Sequence, residues 1–172
     1  MKIIQKFTTI LIVLLTFISN TYSQDKIVYL DLDNVVTNTK AGKLILSELE
    51  KSKKAALLKF EKKEKDLKKI EDEIKKQKNI ISEEELKKKL VKFRKEVTTF
   101  RQNKQKVINE FNKKKKIEFE AFFKKITPII ENYVSEKNID IVLDRKDIFV
   151  ASKKKDITKE IINIIDAKIK WK

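Results

Sequence analysis

The chain has 172 residues and a formal net charge of +16, with one glycine, one proline and no cysteine. So few turn-forming residues exclude folds built from many hairpins or βα loops, and they favour a few long helices. The lack of cysteine excludes disulfides and a thiol-attached lipid, so stability must come from packing or oligomerisation.

Residues 1–23 have the pattern of a secretory signal peptide. Lys2 and Lys6 stand near the start, an apolar or hydroxyl-bearing run of about 12 residues extends from Phe7 to Ile18, and small residues precede the predicted cleavage before Gln24. A membrane-spanning helix needs about 20 apolar residues, which makes a retained anchor the less favoured alternative. The pattern therefore predicts export of the mature chain.

The mature chain begins with an apolar strand at residues 26–32 (KIVYLDL), followed by a turn, and the strand carries Asp31 and Asp33 at its end. This spacing resembles the first motif of the haloacid-dehalogenase phosphatases, in which the first carboxylate is the nucleophile and the second the general acid–base. Such an enzyme also needs further βα units with a later lysine and acidic pair, whereas here a charged helix follows. We therefore interpret Asp31 and Asp33 as residues that stabilise a turn or cap a helix through hydrogen bonds to the backbone. We expect no enzymatic activity, no catalytic residue, no metal and no cofactor.

Residues 40–125 are predicted to form a coiled coil. Apolar side chains recur in a three–four alternation, called here the seam, from Leu46 to Ile81 and again from Leu86 to Phe111. The seam then shifts by one place, which is a stutter that locally unwinds a supercoil. Four seam positions are lysine, and such side chains weaken the packing but can extend their ammonium groups into water; they are Lys53, Lys63, Lys104 and Lys115.

A reversal of the chain is predicted at residues 79–82. Ser82 followed by Glu85 is a capping box, and the run of glutamates from Glu83 suits the positive end of a helix dipole. The two helices would then pair as an antiparallel hairpin about 60 Å long. One continuous helix of about 95 residues is the alternative.

Shorter elements are predicted after the second long helix. Pro128 is expected to end or kink that helix. Residues 139–144 (IDIVLD) alternate between apolar and polar side chains, and residues 147–152 (DIFVAS) follow after a polar turn, so the two are predicted as the strands of a hairpin. Asp156 is then expected to cap a closing helix that is rich in isoleucine.

Charge divides the mature chain into two parts. Residues 40–125 contain 29 Lys or Arg and 15 Asp or Glu, a net charge of +14, whereas residues 24–39 carry −2 and residues 126–172 carry +2. We assign the first segment to an arm and the two flanks to one small body with three strands. A body of that size is marginal alone and has exposed strand edges. It is expected to oligomerise through apolar residues: Ile27, Tyr29, Ile139, Ile141, Leu143, Ile148 and Val150.

The order of signal peptide, strand, long helical hairpin, strand pair and short helix resembles the Skp/OmpH family of periplasmic chaperones. The resemblance is carried by KIVYLDL at residues 26–32, NIDIVLD at residues 138–144 and DIT at residues 156–158. It implies an α+β, mainly α fold, in which a long antiparallel coiled-coil hairpin arm stands on a small β-rich trimerisation body. It also implies a periplasmic homotrimer whose arms enclose a cavity that holds unfolded outer-membrane proteins without ATP.

On this interpretation, basic side chains of the arm face the client protein and steer acidic clients into the cavity: Lys87, Lys88, Arg94, Lys113, Lys114, Lys115 and Lys116. Nucleic-acid binding, which such a charge would otherwise indicate, is disfavoured by export. Contact with an anionic membrane or lipopolysaccharide stays open, because no arm motif matches the family's proposed site residue by residue. The alternative function is a structural or adaptor coiled-coil protein of the cell envelope.

Overall fold

The computed structural model describes residues 25–171, so the predicted signal peptide lies outside the described residues. The elements in chain order are strand β1 (Ile27–Leu30), helices α1 (Leu32–Asn38), α2 (Lys40–Gln77) and α3 (Glu83–Glu136), strand β2 (Ile141–Asp144) and helix α4 (Thr158–Lys168). Two 3-10 turns, Arg145–Asp147 and Lys153–Lys155, lie between β2 and α4. Helices α2 and α3 pack against each other as a long hairpin, with the other elements at its root. The mainly helical α+β fold expected from the sequence is confirmed.

The two strands form a parallel sheet that joins residues before the hairpin to residues beyond it. Its register pairs Ile27 with Ile141 and Tyr29 with Leu143. Side chains alternate between the two faces of a strand, so these four residues share the outer face of the sheet. Val28 lies on the opposite face and is buried in the core.

The predicted hairpin between residues 139–144 and residues 147–152 is wrong. The first segment does contain a strand, β2, but it pairs with β1 in parallel, and the second segment is not a strand. After β2, the Asp144 carboxylate accepts a hydrogen bond from the backbone N–H of Lys146 at 3.3 Å, and the chain enters a 3-10 turn instead of reversing tightly. The following segment has no strand partner within the described part of the chain, and Phe149 is 99% exposed.

A short helix, α1, follows β1 where the sequence indicated a turn. Asp31 caps its first turn, because the carboxylate Oδ1 accepts a hydrogen bond from the backbone N–H of Asn34 at 2.8 Å. Thr39 ends α1 and caps α2, with its Oγ1 accepting from the backbone N–H of Gly42 at 3.2 Å. Gly42 permits a very close approach, since a Cβ built there would lie 1.8 Å from the carbonyl oxygen of Val36. The one glycine of the chain therefore packs α1 tightly onto the root of α2.

The hydrophobic core lies where the root of the hairpin meets β1 and α4. Thr158 links these two elements, because its Oγ1 accepts a hydrogen bond from the backbone N–H of Asp31 at 3.0 Å. The N-cap of the last helix is Ile157, which makes no side-chain cap hydrogen bond, so the prediction that Asp156 is the cap is wrong by one residue. The Asp156 carboxylate, just before the cap, still accepts a hydrogen bond from the backbone N–H of Thr158 at 2.9 Å. Fully buried apolar side chains come from all three helices at the root and from α4: Val35, Ile45, Phe122, Ile126, Ile161 and Ile165.

The reversal at the tip of the hairpin is confirmed. Helix α2 ends at Gln77 and α3 begins at Glu83, so the chain is not one continuous helix. Ser82 is the N-cap of α3, and its Oγ accepts a hydrogen bond from the backbone N–H of Glu85 at 3.3 Å. Glutamates occupy the first turn of α3, where they offset the positive end of the helix dipole.

Ser82→Ala should remove this cap and cost about 1 kcal/mol of local stability. Amide hydrogen exchange should quicken at the tip and stay unchanged in the body, whereas the exposed control Ser52→Ala should leave the tip as it is. Nitroxide labels at Lys68 and Lys92 should lie side by side across the hairpin, as Lys63 and Glu96 do at 3.0 Å. A separation of tens of ångströms by pulsed EPR would contradict the hairpin.

Pro128 lies inside α3, which continues to Glu136. Proline lacks a backbone N–H and normally breaks a helix interior. Here Ile126 on one side is fully buried and Ile130 on the other packs against the core, so tertiary contacts hold both parts of the helix in place. The expectation that the helix could end at Pro128 is wrong, and the amphipathic segment beyond it belongs to the same helix.

The end of the described chain returns to the root of the hairpin. Trp171 packs edge-on against Phe122, with ring centroids 6.1 Å apart. The ammonium of Lys125 lies 4.2 Å from the centroid of the indole ring, a distance at which a cation–π contact is attractive. The fluorescence of the single tryptophan can therefore be used to follow unfolding of the body.

Candidate functional site

The basic residues that the sequence analysis assigned to a client-facing surface are exposed, but they form two groups. Lys87, Lys88 and Arg94 lie near the tip of the hairpin. The run Lys113–Lys116 begins about 28 Å further along α3, on the ordinary helical rise. Four consecutive helical residues point around most of the circumference, so this run cannot face one side only. The basic surface is therefore spread along and around the arm.

Many acidic side chains of the hairpin are engaged in ion pairs within one helix. Lys65 and Glu61 lie 2.7 Å apart, and Lys75 and Glu71 lie 2.6 Å apart. The hydrogen bond between Lys65 and Glu61 is the main reason why the pKa of Glu61 is lowered and that of Lys65 raised. Exposed pairs of this kind contribute little stability. Their effect is to neutralise the acids locally and leave the lysine excess facing solvent.

Two of the four seam lysines are accommodated between the helices. Lys63 forms an ion pair with Glu96 at 3.0 Å, and Lys104 forms one with Glu64 at 2.8 Å. The Lys104 ammonium also lies 5.5 Å from the ring centroid of Phe60, and that ring packs edge-on against Phe100. Aromatic and charged contacts thus join the two helices in the middle of the hairpin.

The seam opens at the root of the hairpin, where the other two seam lysines, Lys53 and Lys115, are exposed. A groove of about 630 Å³ lies there between α2, α3 and α1. We call it the root groove. Its polar lining residues are Asp33, Thr37, Glu50, Lys53 and Lys115, and its apolar lining residues are Val36, Leu46, Leu49, Phe111, Phe119 and Phe123.

Apolar side chains are also exposed on the outside of the arm, among the lysines. Their exposed fractions range from 40% to 59%, and they are Leu57, Leu58, Val91, Ile108 and Ile117. These positions lie outside the seam, and no contact with a client was predicted for them from the sequence. Apolar residues that fall outside the three–four alternation are the signal that could have found them.

The residues assigned to oligomerisation divide into exposed and buried ones. Four are exposed by 41% or more, namely Ile27, Ile141, Leu143 and Val150, whereas Ile148 is intermediate. Tyr29 and Ile139 are only 6% and 7% exposed, so both are covered within one protomer, Tyr29 even though it lies on the outer face of the sheet. The Arg145 guanidinium lies 5.8 Å from the Tyr29 ring centroid, and Ile139 packs in the core. The assignment of these two residues to a surface is therefore corrected.

The two carboxylates that resemble a phosphatase motif do not form a joint site. Asp31 is held by its cap hydrogen bond to α1, and Asp33 is exposed at the edge of the root groove. Within residues 25–171, no cluster of three or more acidic, histidine or cysteine side chains is arranged to hold a metal ion. The interpretation of Asp31 as a cap residue is confirmed.

Asp31→Ala should destabilise the body by about 1 kcal/mol, as the loss of an N-cap does. Asp31→Asn should be nearly neutral, because asparagine caps helices as well as aspartate does. Denaturant unfolding checks both variants. Wild-type protein with magnesium and a panel of phosphate esters should show no turnover above background, and turnover that Asp31→Asn abolishes would overturn this assignment.

The structure is a basic helical hairpin that rises from a small body of two parallel strands and short helices. Residues 26–165 match the model of the family described as "Outer membrane protein (OmpH-like)". The chain therefore belongs to this OmpH-like family, and the resemblance inferred from the sequence is confirmed.

Among solved structures, the chain is similar to a candidate outer membrane chaperone (OmpH-like) from Caulobacter crescentus. The TM-score is 0.73 at 14% identity, and the match covers 86% of this chain and 87% of that one. At this level of sequence identity, the similarity shows that the two proteins share a fold. No curated protein was found to match the chain. No helix within residues 25–171 has the length and apolar character needed to span a bilayer.

Proposed function

We propose that the protein is an ATP-independent periplasmic holdase that binds unfolded outer-membrane proteins between the basic arms of a homotrimer. The observation that carries the proposal is the position of the charge. The net +14 of residues 40–125 lies on the hairpin, while the flanking segments cancel. The 38 residues of α2 alone give this arm a length of about 57 Å. An unfolded acidic chain would meet a long basic surface with scattered apolar contacts.

The arms of such a trimer would stay apart by repulsion. Three arms of +14 carry +42 in total, and screening at physiological salt extends over about 8 Å. Arms that are further apart than this hardly interact, but closing them would cost energy, so the cavity stays hydrated and accessible. Acidic clients are attracted over distance, and the exposed arm residues, such as Leu57 and Val91, then supply weak contacts that require no particular sequence.

The body supplies the surface on which the trimer would assemble. Ile27, Ile141 and Leu143 share the outer face of the sheet and are exposed. Next to β2, the unpaired segment of residues 148–152 presents Phe149 and Val150 to solvent. Exposed strand edges and apolar patches of this kind favour pairing with further copies.

Leu143→Asp should dissociate the trimer, because placing a carboxylate in an apolar interface without a partner costs several kcal/mol per subunit. Replacement of residues 50–115 by a short Gly/Ser loop should leave the trimer intact, since the core residues of the body lie outside that range. Sedimentation velocity measures both masses. The control Leu57→Asp, on the arm, should remain trimeric, and a monomeric arm deletion would contradict the assignment.

The holdase function is tested by diluting an acidic outer-membrane β-barrel protein from urea into buffer without ATP. Mature protein in stoichiometric amounts should suppress light scattering and keep the client unfolded in a soluble complex. Aggregation that proceeds unchanged at a several-fold excess would refute the proposal. Binding of a single folded envelope protein, with no protection of unfolded chains, would favour the adaptor function instead.

A further inference from the structure

The root groove arises where the coiled-coil seam fails. The seam shifts at Phe111, and a stutter locally unwinds the supercoil. Lys53 on α2 and Lys115 on α3 occupy seam positions beside the shift, yet both stay exposed. A buried, unpaired ammonium would be costly, so the two helices cannot close over this stretch. The groove is therefore a direct consequence of the sequence at the root.

The walls of the root groove are apolar and largely aromatic. Phe111, Phe119 and Phe123 are only partly buried, whereas their neighbour Phe122 on the core side of α3 is fully buried. The volume of about 630 Å³ lies in the range of ligand pockets. Apolar surface that the fold leaves half-covered in a pocket of this size is suited to receive one or two bulky apolar side chains.

The charge around the root groove favours an acidic occupant. Of the four charged side chains that line the groove, Lys53 and Lys115 are balanced by Asp33 and Glu50. The helix segments that border it, residues 50–54 and residues 111–119, carry net charges of +2 and +3, against −1 on α1, so the positive excess lies on the helices around the groove. An anionic group beside the apolar side chain would therefore be attracted to either rim.

The length of the root groove fits a short extended segment. From Leu46 to Lys53 the groove follows α2 for about 10 Å. An extended chain rises about 3.3 Å per residue, so about three residues fit. A second copy would bring another arm of net charge +14 to this basic surface, and like charges across an interface repel, so the groove favours an acidic partner over a second copy of this chain.

We infer that the root groove is a docking site for short extended segments of unfolded client chains that carry a bulky apolar side chain next to a carboxylate. The inference rests on the proposed holdase function and names a specific contact within it. Two smaller grooves, of about 530 Å³ and 370 Å³, lie on the middle of the arm, but more than half of their lining residues are charged. The root groove would hold one segment of the client where the arm meets the body.

The first test measures binding of a fluorescent nonapeptide that has a central Phe-Leu pair flanked by aspartates. Lys53→Trp fills the root groove, and Lys54→Trp is its matched control, since Lys54 is exposed, does not line the groove and loses the same charge. We expect at least fivefold weaker binding for Lys53→Trp and a change of less than twofold for Lys54→Trp. Lys115→Trp with its control Lys114→Trp repeats the comparison on α3.

The second test places a photo-reactive benzoylphenylalanine at position 53 or 54 of the full mature chain, with a denatured acidic outer-membrane protein as client. A client adduct that forms at position 53 in clear excess over position 54 supports the docking site. An adduct to a second copy, or equal yields at both positions, would overturn it.

The outcomes separate this inference from the holdase proposal. If wild-type protein suppresses client aggregation while the peptide binds Lys53→Trp and Lys54→Trp equally well, the docking site is refuted and the holdase stands. If wild-type protein does not suppress aggregation but the peptide binds in a manner that depends on Lys53, the holdase is refuted and the groove remains a peptide site. A peptide in which serines replace the Phe-Leu pair should not bind.

Discussion

Gly42→Ala is expected to destabilise the body by about 2 kcal/mol. The added methyl group would lie 1.8 Å from the backbone carbonyl oxygen of Val36 and 3.0 Å from Oγ1 of Thr39, so α1 would have to move away from α2. Alanine gains about 1 kcal/mol over glycine in helix propensity, but overpacking against a rigid backbone costs about 1–3 kcal/mol, and sometimes more. For so short a contact we expect a cost at the upper end of this range. The cost of the clash therefore exceeds the gain in helix propensity.

Urea unfolding followed by the fluorescence of Trp171 measures the effect, because the indole packs on the body core. The matched control is Ser47→Ala, an exposed position on the same helix, which should be neutral or slightly stabilising. Both variants must be compared at one protein concentration, since oligomer stability depends on it. A Gly42→Ala variant as stable as wild type would show that the close packing of α1 is wrong.

Client capture is expected to depend strongly on salt, and client retention less so. Long-range attraction raises association rates and weakens as ionic strength rises, whereas the residence of a bound chain depends on many short contacts. An unfolded outer-membrane protein of acidic pI should therefore associate at least tenfold more slowly in about 0.5 M salt than in about 0.05 M. Stopped-flow fluorescence measures association, and competition with unlabelled client measures the smaller change in dissociation.

Charge reversal on the arm should have the same consequence at fixed salt. Exchanging Lys113–Lys116 for glutamate changes the net charge by −8 per chain, or −24 for the proposed trimer. Capture of the acidic client should slow while the mass of the oligomer is unchanged, and a basic client should show the opposite preference. Of these four lysines, only Lys115 lines the root groove. Exchanging only Lys113, Lys114 and Lys116 for glutamate therefore tests the effect of charge on capture without altering the groove. If the association rate of neither client varies with salt, the lysines do not steer clients and only keep the arm hydrated.

The parts of the fold that depend on neighbouring residues could be predicted from the sequence. The bounds of α2 and the reversal before Glu83 follow from apolar periodicity and from the cap hydrogen bond of Ser82, which join residues close in sequence. The continuation of α3 through Pro128 could not, because it depends on packing against a body that the local pattern does not contain.

The pairing of the strands illustrates the same limit. Residues 139–144 and residues 147–152 are close in sequence and both apolar, which favours a hairpin by local rules. The actual partner of β2 is strand β1. The register that pairs Ile27 with Ile141 cannot be predicted from the residues next to either strand. The burial of Tyr29 and Ile139 follows from that long-range arrangement, so their assignment to a surface was wrong.

The candidate site was predicted in part. The lysines at seam positions 53 and 115 and the stutter are visible in the sequence, and they mark a stretch where the helices cannot pack closely. The groove itself could not be foreseen, because α1 forms one of its walls and was expected to be a turn. The positions of the exposed apolar residues of the arm were not predicted either, because only residues of the seam were considered.

The parallel pairing of β1 with β2 determines the order in which the chain can fold. A ribosome makes β1 first, but its partner begins at Ile141, beyond both long helices. Closing a flexible loop of about 110 residues costs roughly 4 kcal/mol, whereas a hairpin that has already formed brings its two ends together and removes most of that cost. The arm, whose contacts are local, should therefore fold first and the body last. Truncation before residue 141 would leave β1 as an unpaired apolar strand prone to aggregation, whereas shortening the hairpin at its tip would be harmless to the body.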